Sequence, residues 1–402
     1  MRLLRGGRVQ DDASIAPAAR DILVGDDGRI AAIEPAGAKL AAAEVVDLAG
    51  KLVVPGFVDA HQHLDKTRTL ESVPNPEGTL PGAIKAFRAY AATMQRVDIV
   101  ARAERTLQAC VERGTVALRT HVNVDTETRV RGIEALVELR ERWRDRIRLQ
   151  LVAFVTGAGT NAPEAKSWLD EALAMGADVI GGTPASSNDA EAFYDMLFAA
   201  AERTGRPIDL HLDEHLDGAL HFEGVIRRTR ALGLQGRVVA SHCCVLAALP
   251  PGEAARLIEE FAGAGIGVVT LPAANLFLQG RAVDRLAPRG LTRVNELARA
   301  GVTVACASDN IRDPFVPTGS GDMLEIARWT MLAAHFSSND VGRAFQMITA
   351  APARLLGLGE TYGLKLGARA DLLATDAADI ADLVTGGPLR RSVFFGGNPI
   401  ST

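Results

Sequence analysis

With 402 residues, the chain is far longer than a minimal domain and fits one large domain with a smaller companion. Its 48% hydrophobic and 23% charged residues leave ample material for a core, and a formal charge of −5 excludes a dominant basic surface for nucleic acid. No apolar run reaches the roughly 18 residues of a spanning helix, and the start lacks a long apolar leader, so neither membrane contact nor secretion is expected and the default location is cytoplasmic.

Residues 1 to about 55 read as short strands: Gly7-Arg8-Val9, Asp21 to Val24, Arg29 to Ile33 and Lys51 to Val54, separated by turn signals such as Gly25-Asp26-Asp27-Gly28. They predict a small antiparallel sheet. The next stretch, Pro55 to His63, ends an apolar strand on a His-x-His pair. Period-two geometry sends His61 and His63 out on the same side, where two imidazoles can begin a metal site.

Beyond this point short apolar strands alternate with helical stretches. Strands are expected at 116–121, 149–154, 179–181, 208–211, 238–242, 267–270 and 302–306, which with the one ending at His61 makes eight. Amphipathic segments such as 127–143, 188–204 and 219–233 lie between them. This alternation predicts an α/β fold, a (β/α)8 barrel, in preference to an open doubly wound sheet, whose Gly-rich phosphate turn is missing. The C-terminal end returns to strand texture at Leu364 to Gly367, Ala370 to Ala374 and Ser392 to Phe395. The expected organisation is therefore a small β-sandwich domain from both termini, residues 1–55 plus 364–402, around a barrel at 56–363.

Residues that follow barrel strands gather at one mouth, so distant positions become neighbours. Those positions carry His61, His63, His121, His211, Glu214, His242 and Asp309. Three neutral imidazoles and a carboxylate suit one divalent ion, Zn²⁺ or Fe²⁺, with a position left for water, whose pKa such an ion lowers to roughly 7.

The motifs His61-Gln62-His63-Leu64-Asp65-Lys66-Thr67, Gly78-Thr79-Leu80 and Arg119 to Asp125 resemble the cytosine deaminase branch of the amidohydrolase superfamily. So do His211-Leu212-Asp213-Glu214, Ser241-His242 and Ser308 to Phe315. The resemblance implies that His61, His63, His211 and Asp309 bind one metal. It gives Glu214 the role of proton shuttle, and makes His242 the group that orients or polarises the attacking water. Asp309 could also accept a proton from that water. Two-metal members use a lysine at the end of strand 4; Ile180-Gly181-Gly182-Thr183 offers none.

The chain also departs from the branch. Cytosine deaminases place a glutamine after strand 3 to read the pyrimidine edge, whereas Phe154-Val155-Thr156-Gly157 stands here. Asn310 replaces a second aspartate and Phe315 a tryptophan. The implied activity is a metal-dependent aminohydrolase releasing ammonia or a small amine from an amino-substituted heterocycle other than cytosine. A pterin, triazine, purine, creatinine-like ring or N-alkylated amine of the isopropylammelide type would fit. Leu80, Thr156, Asn310 and Phe315 are the expected substrate-binding residues. The alternatives are a cyclic amide hydrolase and a non-catalytic scaffold, and self-association into a homo-oligomer stays open. His215 and His221 read as wall or helix-face residues, and His121 as a structural hydrogen-bonding group. Arg119 and Asp65 read as buried network residues, and Lys66 as either that or a contact to a substrate anion. His335, Cys110, Cys243, Cys244 and Cys306 are assigned no role.

Overall fold

The structure, a computed structural model, describes residues 1–387 and 390–400. The four remaining positions, 388, 389, 401 and 402, fall within the expected small domain and lie outside the described residues. Strands β1 (Arg2–Val9), β2 (Ala18–Val24), β3 (Ile30–Pro35), β4 (Glu44–Asp47) and β5 (Leu52–Pro55) come first. The barrel strands follow: β6 (Phe57–Gln62), β7 (Thr115–Val124), β8 (Arg148–Val155) and β9 (Val179–Gly182), then β10 (Ile208–Leu212), β11 (Val238–His242), β12 (Gly267–Thr270) and β13 (Val304–Cys306). The chain ends with β14 (Leu372–Thr375), β15 (Arg391–Phe395) and β16 (Asn398–Pro399).

Strands β6 to β13 pair in sequence order, all parallel. Every residue of β7 is buried, as expected of a strand covered by side chains inside the barrel and helices outside. The helix at Arg131–Trp143 buries Ile133, Leu136, Leu139 and Trp143, one stripe at helical spacing, against that layer. The ring closes between β13 and β6, where Asp309 N donates to His61 O at 2.8 Å. Ser308 Oγ donates to Asp59 and accepts from Gln62 Nε2 at 2.9 Å across the same seam, so the closure is clasped by side chains as well as backbone.

The termini form a second eight-stranded sheet, in the order β16-β15-β14-β5-β1-β2-β3 with β4 also on β1. A bulge between Leu4 and Gly7 divides β1. Its first half pairs with β4 and its second with β5, and the sheet branches there. The sheet encloses its own core of Leu4, Ile22, Val24, Ile30, Val53, Leu372 and Phe394, separate from the barrel core.

Two local expectations need correction. The small sheet is mixed, because β1 runs parallel to both β4 and β5, and β4 itself has no clear signal in the sequence. Leu364 to Gly367 is a set of turns, since Gly363 and Gly367 both sit at positive φ, which breaks an extended run. Tyr362 Oη donates to Gly56 O at 2.6 Å, tying the returning chain to the start of the barrel. Among the described residues no helix is long and apolar enough to cross a membrane.

Candidate metal centre and active site

The barrel register brings the expected side chains to one mouth. His61 lies near the end of β6 with His63 just past it, His211 lies in β10, His242 ends β11, and Asp309 follows β13. To aim these groups inward the backbone turns sharply: Asp213, His242, Cys243 and Asp309 have φ of 50°, 69°, 50° and 59°. Such left-handed positions cost non-glycine residues about 1–3 kcal/mol each and gather where side-chain placement outweighs local comfort.

Four donors converge. His63 Nε2 lies 3.1 Å from His211 Nε2, and Asp309 Oδ1 lies 3.5 Å from His61 Nε2 and 3.4 Å from His63 Nε2. His61 Nε2 and Asp309 Oδ1 are buried without a hydrogen-bond partner. Orphaned polar atoms at this depth are costly unless something absent from the protein atoms satisfies them. A three-imidazole, one-carboxylate set with donor separations of this size fits a divalent ion. Burial keeps two of the imidazoles neutral, as ligation requires, with the pKa of His63 pushed down to about 4 and that of His211 well below its ordinary value.

Each ring is held differently from behind. His61 Nδ1 meets Ser241 Oγ at 2.9 Å, and His63 Nδ1 meets the His121 carbonyl at 3.0 Å. His211 Nδ1 has no partner, but its ring stacks on Phe154 at 4.1 Å. Asn275 Nδ2 donates to His242 Nδ1 at 3.1 Å, which leaves the ring proton of His242 on Nε2. Glu214 Oε1 stands 3.5 Å from that same Nδ1. Burial, then the charge of Asp309, raises the Glu214 carboxyl well above the usual range.

A sequence profile described as the amidohydrolase family matches residues 44–162 and 106–387. The chain belongs to the amidohydrolase family. It is 35% identical over 360 residues to a pterin deaminase of Rhizobium rhizogenes, covering 89% of this chain and 82% of the relative. It is 33% identical over 341 residues to an N-isopropylammelide isopropyl amidohydrolase of Pseudomonas sp., covering 83% and 81%. The fold superposes on a 5-methylcytosine deaminase of Klebsiella pneumoniae liganded with 5-fluorocytosine with a TM-score of 0.92, at 31% identity, over 100% of this chain and 97% of the other. The chain is accordingly a hydrolase of carbon–nitrogen bonds other than peptide bonds.

The amidohydrolase pocket above the donors encloses about 300 Å³. Leu80, Thr156, Asn310 and Phe315 all line it, as do Glu214 and His242. His121 sits beneath instead, stacked on His61 at 3.9 Å. His215 reaches the wall, and its partner is Asp213, which also binds His221 at 2.6 Å. Gly181 at the end of β9 has no room for a side chain, because a Cβ there would come within 2.8 Å of Asp209 O. Cys243 and Cys244 are buried, and burial pushes their thiols well above the ordinary range.

Three residues of the site have little or no weight in the sequence reading. Lys66 is 4% exposed, forms no ion pair among the described residues, and holds its ammonium 4.9 Å from Phe315, 5.4 Å from Phe87 and 6.0 Å from Phe154. Asn123 presents an unpartnered buried Oδ1 in the pocket wall, and its period-two spacing from His121 was the available signal. Asn275 reaches His242 from the helix after β12, which no local pattern announces.

Proposed function

We propose that this amidohydrolase removes an amino or alkylamino group from a small nitrogen heterocycle other than cytosine, using one divalent ion, Zn²⁺ or Fe²⁺. The observation that carries the reading is the convergence of His61, His63, His211 and Asp309, two of whose donor atoms are buried orphans, at the floor of a pocket sized for one bicyclic or substituted ring. A bound ion supplies the Lewis acidity that makes water nucleophilic at neutral pH. One ion is favoured because β9 ends in glycines with no space for a bridging lysine.

Within this reading Glu214 takes the proton that water loses as its oxygen bonds the ring carbon. It delivers that proton to the ring nitrogen, and the second proton of the same water, taken up by Asp309, goes to the amine as the carbon–nitrogen bond breaks and the carbon–oxygen double bond forms. The raised affinity of Glu214 for protons suits both halves of its transfer. His242, carrying its proton on Nε2, donates toward the oxygen that gains negative charge. Asp309 completes the donor set and orients the water.

The pocket wall argues for the substrate. Thr156 stands where an amide would read a pyrimidine edge, and its hydroxyl is engaged with Thr183 at 3.3 Å. Leu80 and Phe315 offer apolar faces for a flat ring. Asn310 is oriented by Asp313, which accepts its Nδ2 at 2.6 Å. Lys66, a buried cation seated among three aromatic rings with no ion-pair partner among the described residues, calls for an oxygen on the ring, carbonyl or anionic. Pterin and hydroxylated triazine rings carry such an oxygen, and the named relatives act on rings of those classes.

The test is a deamination screen over pterins, alkylamino triazines, cytosine and 5-methylcytosine with metal-loaded and chelated enzyme. Ammonia or amine release on a pterin or triazine, lost on chelation and restored by Zn²⁺ or Fe²⁺, is the expected result. Full turnover by chelated protein, or ring opening with no amine released, would overturn the reading.

A further inference from the structure

We propose that Ser241 and Asp209 form a hydrogen-bonded relay that fixes His61 as an ion donor, so that affinity for the ion depends on two side chains that touch neither ion nor substrate. The inference rests on the reading of the four-donor floor as an ion site. Four fully buried side chains carry it. Arg119 Nη1 donates to Asp209 Oδ2 at 2.7 Å, Ser241 Oγ donates to Asp209 Oδ1 at 3.2 Å, and His61 Nδ1 lies 2.9 Å from the same Ser241 oxygen.

The direction of each bond follows from chemistry. The guanidinium can only donate, and a carboxylate facing it can only accept. The single Ser241 proton is therefore committed to Asp209, and its oxygen can only accept from His61. That places the imidazole proton on Nδ1 and leaves the Nε2 lone pair bare, directed at the cluster with His63 and Asp309. The same Nε2 is the orphaned atom of the site.

The arrangement is not a by-product of strand pairing. Ser241 on β11 and His61 on β6 are separated around the barrel by β12 and β13, so their bond crosses the interior. The other two rings lack an equivalent. His63 leans on a neutral carbonyl and His211 Nδ1 on nothing. Of the three rings His61 alone is linked through its Nδ1 to a buried carboxylate, which locks its ring orientation and its tautomer.

The experiment titrates Zn²⁺, against a competing chelator, into metal-free wild-type protein and into Ser241→Ala, Ser241→Val and Ser241→Thr. Threonine keeps the hydroxyl and valine has the same shape without it, so this pair separates the hydrogen bond from packing. The alanine and valine variants are expected to bind roughly 10–100-fold more weakly, with threonine close to wild type. Metal-free unfolding midpoints should be alike for valine and threonine, and the visible spectrum of the Co²⁺-loaded protein should shift only where the hydroxyl is gone. If the alanine variant does not fold, the valine and threonine pair decides. Equal affinity of valine and wild type, or equal loss in valine and threonine, would overturn the relay. Wild-type protein that binds no Zn²⁺ would instead overturn the functional reading beneath it.

Discussion

The floor and the wall of the pocket are built by different means. The donors of the floor sit on or just beyond strands β6, β10 and β13, in the closed parallel ring whose register fixes them relative to one another. The wall draws Leu80 and Phe87 from the helix Leu80–Ala91 and Thr156, Ser186, Asn310 and Phe315 from the segments that follow β8, β9 and β13. The costs differ too: the floor accepts backbone strain at His242 and Asp309, while the wall accepts a poorly solvated charge at Lys66. In barrels of this kind the ring sets the reaction and the connecting loops set what undergoes it.

The sharpest way to test that division is Glu214→Gln. The amide keeps size and burial but cannot carry the proton, so kcat should fall by roughly 10²–10⁴-fold with ion content unchanged. The loss should be similar for every substrate the enzyme accepts, because the proton transfers are common to all of them. Steady-state kinetics across two ring classes, with metal analysis, checks both parts; a loss confined to one ring class would move Glu214 to the wall.

Behind the wall, Asp313, which holds Asn310, makes a prediction about stability. Burial pushes its pKa up to about 7, outweighing the hydrogen bonds from Asn310 and from the Val316 and Phe315 backbones and the nearby Lys66 charge. An unfolded aspartate titrates near ~3.9, so between that value and about 7 the native chain holds a proton that the unfolded chain has lost. The Asp313 contribution to the stability of the metal-free protein should therefore fall as pH rises through this window, by up to roughly 4 kcal/mol, and no further above it. Asp313→Asn should flatten that slope. Denaturant unfolding at stepped pH measures it, and an unchanged slope in the variant would assign the effect to another group.

How much of this could be read from the chain alone follows the same divide. His61 and His63 show through period-two alternation, and His211 and His242 through their place at the ends of apolar runs. Asp309 and Glu214 also follow apolar runs and take their roles from the resemblance of their motifs, and all six lie together at the mouth. Ser241 and Asp209 were not legible as partners of His61, because their contact depends on which strands face each other across a closed ring. The three rings around Lys66 arrive from three separate stretches of chain, near positions 87, 154 and 315, so no window of sequence contains them. Strand β4 is only four residues long and mostly exposed, which leaves no apolar pattern to find.

Lys66→Met is the mildest of the predicted effects and the one that most directly separates wall from floor. Methionine keeps the length and the contact with Phe87, Phe154 and Phe315 but removes the charge, so the rings should stay packed. A hydrogen bond to a charged group contributes about 1.5–3 kcal/mol, and its loss should lower kcat/KM roughly 10–100-fold for a ring bearing the matching oxygen. Most of that should appear in KM, since the contact is made in the bound substrate as well as during reaction. A ring lacking the oxygen should be turned over about as well by the variant as by the wild type. If both rings suffered equally and in kcat, the lysine would be acting through its charge on Glu214 and His63, and it would belong to the floor.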